Sequence, residues 1–218
     1  MEINNTCLNC QKVHNENCDL DQQLICRNDP KVTRKFVGFH LPLRIVIFSM
    51  LIFVGKITGS WWFLVAYGVG FILNFGLVET RYLCRHCPFY AQEGKFLNCP
   101  ALYGTPKWWK YDPSPLTKVD KILQTIFGGF VDLFPMITLG YMVWYLVLNP
   151  LPILQIIVFI SMSLVMIVLL TIMGQMLTGG FCKKCVNFSC PMNKTPENLR
   201  KAYLDQNETM REAWERNK

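Results

Sequence analysis

Charge is missing over long stretches of this chain. Ile57 to Val78 is 22 residues without a charged side chain, and Leu133 to Cys182 is 50. A helical span needs roughly 20 apolar residues. The longer run therefore holds two spans, and an uncharged stretch of that length excludes an ordinary soluble core. An apolar leader is missing as well. Residues 1–35 are polar, so no cleavable signal peptide is expected and the spans themselves must drive insertion. The sequence contains no glycine-rich nucleotide loop, hydrolase triad or zincin motif, which leaves a hydrolytic enzyme without support. Histidine is scarce: His14, His40 and His86 are the only three, and no pair lies inside a span to hold a bis-histidine haem.

Cysteine, by contrast, is plentiful, and none of it lies well inside an apolar run. Of the ten, Cys84, Cys87 and Cys99 follow the first long run, and Cys182, Cys185 and Cys190 follow the second. Each triple opens with C-x-x-C, carries a Phe soon after (Phe89, Phe188) and closes with Cys-Pro (Cys99-Pro100, Cys190-Pro191). This echo suggests an internal duplication, each half a helical hairpin followed by a cysteine triple. Cys7, Cys10, Cys18 and Cys26 lie in the polar N-terminal segment, which has too few aliphatic residues for a core unless something, most simply a metal, ties it down.

The fold class expected is an all-α integral membrane protein: four transmembrane helices in two hairpins with a cysteine-rich cytoplasmic cap. Its five segments are a cysteine-rich stretch (1–35), hairpin one (36–78), a loop with the first triple and an amphipathic lead-in (79–121), hairpin two (122–178), and a tail with the second triple and short helices (179–218). Arg44, inside span one, is expected to snorkel toward the near headgroups. Trp61 and Trp62 read as interfacial anchors, as does the Trp108-Trp109 patch. Leu116 to Phe130 reads as a helix along the membrane surface. Gly179-Gly180 reads as the stop of span four. Thr195 and Pro196 read as the cap and first residue of a tail helix, with Leu199, Ala202 and Tyr203 on one face and Met210, Ala213 and Trp214 on a second.

Positive charge gives the orientation. In a four-span arrangement 21 of the 22 Lys and Arg residues, all but Lys56, fall on one side, which the positive-inside rule makes cytoplasmic. The cysteine-rich face and both termini are then cytoplasmic, and the net charge of +7 is mostly topology, not a nucleic-acid surface. All ten cysteines share that side, where structural disulfides are disfavoured. The sequons at Asn4, Asn187, Asn193 and Asn207 point to the other face only if they are used.

C-x-x-C turns aim two sulfurs at one centre. Tetrahedral zinc takes four such ligands, and so does a four-iron cluster. Neither triple completes a site alone, so the two are expected to share, supplemented from Cys7, Cys10, Cys18 and Cys26. The C-x4-C and C-x11-C continuations depart from a ferredoxin run and leave the metal open. Neighbouring Arg85, Lys183 and Lys184 are expected to favour thiolate. His86 and His14 read as spacers sooner than ligands. Asp132, near the start of span three, is a candidate proton carrier. Asn74, Gln155 and Gln175 read as interhelical hydrogen-bonding groups, and Met162, Met166, Met173 and Met176 as core packing. The leading functional expectation is an iron–sulfur redox subunit exchanging electrons with a membrane quinone or partner redox subunit. A zinc-stapled scaffold or assembly factor is the alternative, and soft-metal transport or sensing the second.

Overall fold

The computed structural model describes residues 20, 23–26 and 28–217, and among these the regular elements are helices, with two isolated bridges, Ile25 with Cys185 and Phe96 with Pro106. Cys7, Cys10, Cys18 and His14 lie outside the described residues. Four helices are long and apolar enough to cross a membrane: Pro30–Thr58, Trp62–His86, Lys118–Leu148 and Ile153–Lys184.

Helix α1 (Pro30–Thr58) starts where Asp29 accepts a hydrogen bond from the Lys31 N–H at 2.8 Å, with Pro30 at the first position where its missing N–H costs nothing. Gly59 stops it in the left-handed region at φ 70°. Leu43, Ile47, Met50, Leu51 and Val54 recur at helical spacing and form its buried stripe. Its 29 residues reach about 43 Å, more than the roughly 30 Å hydrocarbon layer, so α1 extends past the span on its N-terminal side.

After a short turn, α2 (Trp62–Leu73) continues without a break into a π-wound stretch (Asn74–Leu83) and a tight turn (Cys84–His86). Trp61 and Trp62 remain exposed at its start. The one-turn helix α3 (Pro88–Ala91) follows, then a loop in which Gly94 (φ 103°) and Gly104 (φ 81°) take conformations that a side chain disfavours. Trp109 is part of this loop's core rather than a headgroup anchor. It packs with Tyr90 and Leu97 and donates to Thr80 Oγ1 at 3.1 Å, leaving Trp108 as the exposed partner.

The expected surface lead-in does not form a separate piece. Helix α4 runs unbroken from Lys118 to Leu148, because Thr117 and Asp120 make a reciprocal capping box that starts the helix well before the span. Helix α5 (Ile153–Met176) likewise passes the expected glycine stop. It widens into a second π-wound stretch (Leu177–Phe181) and closes in the turn Cys182–Lys184. In the tail, α6 (Glu197–Gln206) and α7 (Glu208–Glu215) form with Tyr203, Met210 and Ala213 inward. Pro196, not Thr195, precedes α6, and the Asn207 side chain caps α7.

Helix α1 is central. It packs along α5 and against α2 and α4, while α4 lies against α2 and its π-wound continuation. Helices α4 and α5, though joined by a short turn at Asn149–Pro152, are not among the pairs in extensive contact. Gly70 permits the close approach of α2 to α4: a Cβ there would lie 2.2 Å from the Phe130 ring. Met166 and Met173 are buried in the bundle core, with Met162 and Met176 packed against it. A second core, outside the bundle, joins Leu20, Leu24 and Cys26 to Phe89, Phe188, Tyr203 and Met210. Distant segments thereby close over the cysteine ends of α2 and α5.

Candidate functional site

The two triples occupy corresponding places in the fold. Each C-x-x-C begins where a π-wound helix end tightens into a short turn, and each second cysteine is extended: Cys87 at φ −88°, ψ 138° and Cys185 at φ −76°, ψ 129°. The turns are held by backbone bonds, because a chain leaving a helix must satisfy its last carbonyls. Cys87 N–H donates to Cys84 O at 2.9 Å, and Lys194 N–H donates to Cys182 O at 2.9 Å. Thr195, expected as a cap, donates its hydroxyl to Cys185 O at 2.9 Å instead. The triples are tied together where Asn187 Nδ2 donates to Leu83 O at 3.1 Å. Asn193 Nδ2 donates to Cys185 O at 2.7 Å, and Asn207 Oδ1 accepts from Met210 N–H at 3.1 Å. Three sequon asparagines therefore serve as internal braces.

All six cysteines of the triples line one cavity of about 700 Å³. Cys84, Cys87 and Cys182 are buried, whereas Cys99, Cys185 and Cys190 are half-buried, and none is in a disulfide. Cys26 is elsewhere: it is buried in the outer core beside Leu24 and does not line the cavity. Among the described residues, no group of three or more Cys, His, Asp or Glu side chains stands close enough to grip a single metal ion. The sulfurs surround a space without closing on a point.

The expectation of ready thiolates is reversed. Burial pushes the Cys87 and Cys185 thiols well up, with neighbouring Cys99 adding to the effect at both. Burial also raises Cys99, and it pushes Cys190 up to about 11. The nearby cations do not offset this. Lys183 and Lys184 are exposed, and Arg85 is paired with Asp112 at 3.4 Å. Desolvation disfavours the charged form and dominates here.

His86 is buried rather than a solvent-facing spacer. Its Nδ1 bonds Ser114 O at 2.8 Å and its Nε2 accepts from Arg85 Nε at 3.1 Å. Both ring nitrogens are occupied, so this residue braces the loop.

The cavity runs inward to a polar group inside the bundle. Arg44 does not snorkel. Its side chain is 10% exposed, donating to Tyr67 Oη at 2.9 Å and to Asp132 Oδ1 at 3.4 Å. His40 Nε2 accepts from Arg44 Nε at 3.4 Å, and the guanidinium lies 5.6 Å from the Phe71 and Phe75 ring centres. With so many partners inside, the arginine gains nothing by reaching for headgroups. Asp132, the proton-carrier candidate, also lines the cavity and keeps 62% of its side chain exposed.

Sequence reasoning missed Glu79. It lies on the π-wound stretch, lines the cavity, and interacts electrostatically with Arg44 on one side and with Cys84, Cys99 and Cys190 on the other. The Asn74 side chain is placed as a hydrogen-bond donor to its carboxylate. The available signal was an acid directly abutting the uncharged run that ends at Val78. Comparison with known protein families, curated proteins and solved structures returns no match.

Proposed function

We propose that this protein is a membrane redox subunit in which the two triples jointly hold an iron–sulfur cluster at the cytoplasmic face. The observation that carries the reading is that six sulfurs from triples a hundred residues apart in sequence line one cavity, which continues to an intramembrane charge pair. An all-sulfur donor set suits iron–sulfur clusters and zinc. Spacing is what supports the cluster over zinc. Four sulfurs about 2.3 Å from one zinc stand about 3.8 Å from one another, and no such group of three is present among the described residues. A cluster interposes iron and sulfide between its thiolates, so its ligands stand farther apart around a space. Cys84, Cys87, Cys99, Cys182, Cys185 and Cys190 supply more than the four ligands required. Cys7, Cys10 and Cys18 remain available for a second centre.

When bound, such a cluster supplies one-electron transfer. The chain's own part is to shelter it: the outer core of Phe89, Phe188 and Tyr203 excludes water, and the matched helix ends orient the thiols. The raised thiols also make loading proton-coupled, since each must lose its proton to become a ligand. The equivalent placement of the triples supports the duplication, and the distribution of Lys and Arg supports a cytoplasmic cap with both termini inside. Partner redox subunits or a bilayer quinone would complete the electron path.

The test is anaerobic purification of the full chain with iron, acid-labile sulfide and zinc analysis. Brown protein with broad absorbance at about 400 nm and matching iron and sulfide is expected. Colourless protein with stoichiometric zinc removes the redox reading and leaves the zinc-stapled scaffold.

A further inference from the structure

The loop between α3 and α4 carries an outer face that the fold leaves uncovered. Part of it is a short two-stranded ribbon. Leu97 N–H donates to Thr105 O at 2.7 Å and Lys107 N–H to Lys95 O at 2.9 Å, with Phe96 bridged to Pro106. Side chains alternate between the two faces of such a ribbon. Leu97 points inward, 2% exposed, and Trp109 packs with it in the loop's core. Phe96 and Trp108 therefore share the outer face, at 61% and 58% exposed. Lys110, two positions beyond Trp108, is exposed as well.

Cations dominate around these rings. Lys95 and Lys110 are exposed, as is Arg81 on the π-wound continuation of α2, and no described acid pairs with any of the three. Lys107 is already engaged: it donates to Gln92 O and lies 5.9 Å from the Tyr90 ring centre. Glu93 is the single acidic residue between Gln92 and Tyr111.

The neighbouring helix sets the depth of this face. Val65, Val69, Ile72 and Leu77 are exposed at successive turns, ordinary and then π-wound, and form the lipid-facing stripe of α2 and its continuation. Arg81 takes the next place on that stripe, and a cation there marks the end of the hydrocarbon level. Trp62 opens the helix at the opposite interface. From Trp62 to Thr80 the helix rises roughly 25–27 Å, close to the roughly 30 Å hydrocarbon thickness. Trp109 is tied to that level twice. Its indole N–H donates to Thr80 Oγ1 at 3.1 Å, and the Arg81 guanidinium lies 4.8 Å from its ring centre. The ribbon is thus held beside the lipid-facing side of the helix end, at headgroup depth.

We propose that the outer face of this ribbon docks on anionic phospholipid headgroups, with Phe96 and Trp108 wedged among them and Arg81, Lys95 and Lys110 meeting their phosphates. Aromatic rings settle at the headgroup level, where one side is apolar and the other wet. Each cation near an anionic surface adds about fivefold to the partitioning. Docking holds the loop that carries Cys99 against the bilayer, and it does not depend on which metal the thiols take.

The test labels the full chain with 5-fluorotryptophan in nanodiscs of phosphatidylcholine, alone or mixed with phosphatidylglycerol. Trp108→Phe assigns the Trp108 fluorine line. Its broadening is read from a gadolinium chelate carried on a lipid headgroup and, separately, from a neutral chelate in water. In the anionic disc the line is expected to be broadened by the lipid-borne chelate and shielded from the soluble one, as the Trp61 and Trp62 lines are at the other interface. Omitting phosphatidylglycerol is expected to lower the ratio of docked to undocked loop, read from that broadening, at least about fivefold. Arg81→Gln/Lys95→Gln/Lys110→Gln in the anionic disc is expected to do the same and leave the Trp61 and Trp62 lines in place. All three side chains are exposed, so this variant keeps the fold, as circular dichroism checks. A Trp108 line broadened mainly by the soluble chelate overturns the proposal, because the face then looks into water, as a surface for a soluble protein partner would. Lipid-borne broadening that ignores both lipid charge and the triple variant overturns it as well, because the rings alone would then hold the loop.

Discussion

Replacing Arg44 by Met tests the central electrostatic feature of the bundle. At the observed 3.4 Å separation from Asp132, an effective dielectric of about 20 gives an attraction of about 5 kcal/mol. Desolvation of the guanidinium offsets part of this, and the hydrogen bond to Tyr67 at 2.9 Å returns about 1 kcal/mol. Removing one partner of a buried pair leaves the other charge uncompensated and costs about 3–5 kcal/mol. Because Asp132 is more than half exposed, water compensates the charge that Arg44→Met leaves behind, and that variant is expected to cost about 1 kcal/mol, whereas Asp132→Leu strands the buried guanidinium and is expected to cost about 3 kcal/mol. The double variant Arg44→Met/Asp132→Leu replaces the pair with apolar groups and is expected to fall within about 1 kcal/mol of the parent protein. Reversible unfolding in mixed micelles, followed by far-ultraviolet circular dichroism, supplies the four values of the cycle. A coupling of at least about 2 kcal/mol is expected. Additive single losses, with coupling under about 0.5 kcal/mol, would show that Arg44 works outside the bundle after all.

Three further outcomes bear on the thiol face. Cys87→Ser and Cys185→Ser are expected to lose iron and visible colour while Cys26→Ser keeps both, because Cys26 packs in the outer core away from the cavity; loss of colour in Cys26→Ser would redraw the ligand set. For the metal-free chain, folded thiols raised above the unfolded value contribute stability that is full below the unfolded pKa and lost as pH rises through the folded one. Midpoint temperatures should therefore fall between about pH 9 and about pH 11, the range spanned by Cys190, and a rise over that range would refute the burial argument. Asn187→Ala removes the bond to Leu83 and is expected to cost about 1 kcal/mol and to speed maleimide labelling of Cys185 and Cys190, read by mass spectrometry; unchanged labelling would mean the brace is dispensable.

The spans were legible because the runs from Ile57 to Val78 and from Leu133 to Cys182 exclude charge over bilayer lengths. The pairing of the triples was legible from repeated spacing, since C-x-x-C directly after a span leaves little choice of where the sulfurs sit. What escaped depended on contacts remote in sequence. Arg44 read as a snorkelling side chain because its partners are Tyr67 and Asp132, the latter 88 positions away. Glu79 looked like the end of a helix because a carboxylate after Val78 reads as the return to water, yet the winding continues through Leu83. The glycine pair at Gly179 and Gly180 signals a stop in ordinary helical chemistry, and π-winding leaves no comparable mark in composition. Thr195 satisfies the rules for a cap, but the bare Cys185 carbonyl competes for its hydroxyl and wins.

The two widened helix ends carry a consequence for how this chain tolerates length changes. Ordinary winding turns about 100° per residue, and a π segment absorbs a surplus position within the same rise. Deleting one residue between Asn74 and Leu83 would therefore let that end relax to ordinary pitch with Cys84 and Cys87 still turned toward Cys182 and Cys185, whereas a deletion in the ordinary winding of Trp62–Leu73 would rotate them about 100° around the axis. Each widened end thus acts as a length buffer: loss of one residue there would spare the thiol face, while the same loss in the ordinary winding before it would turn that face away.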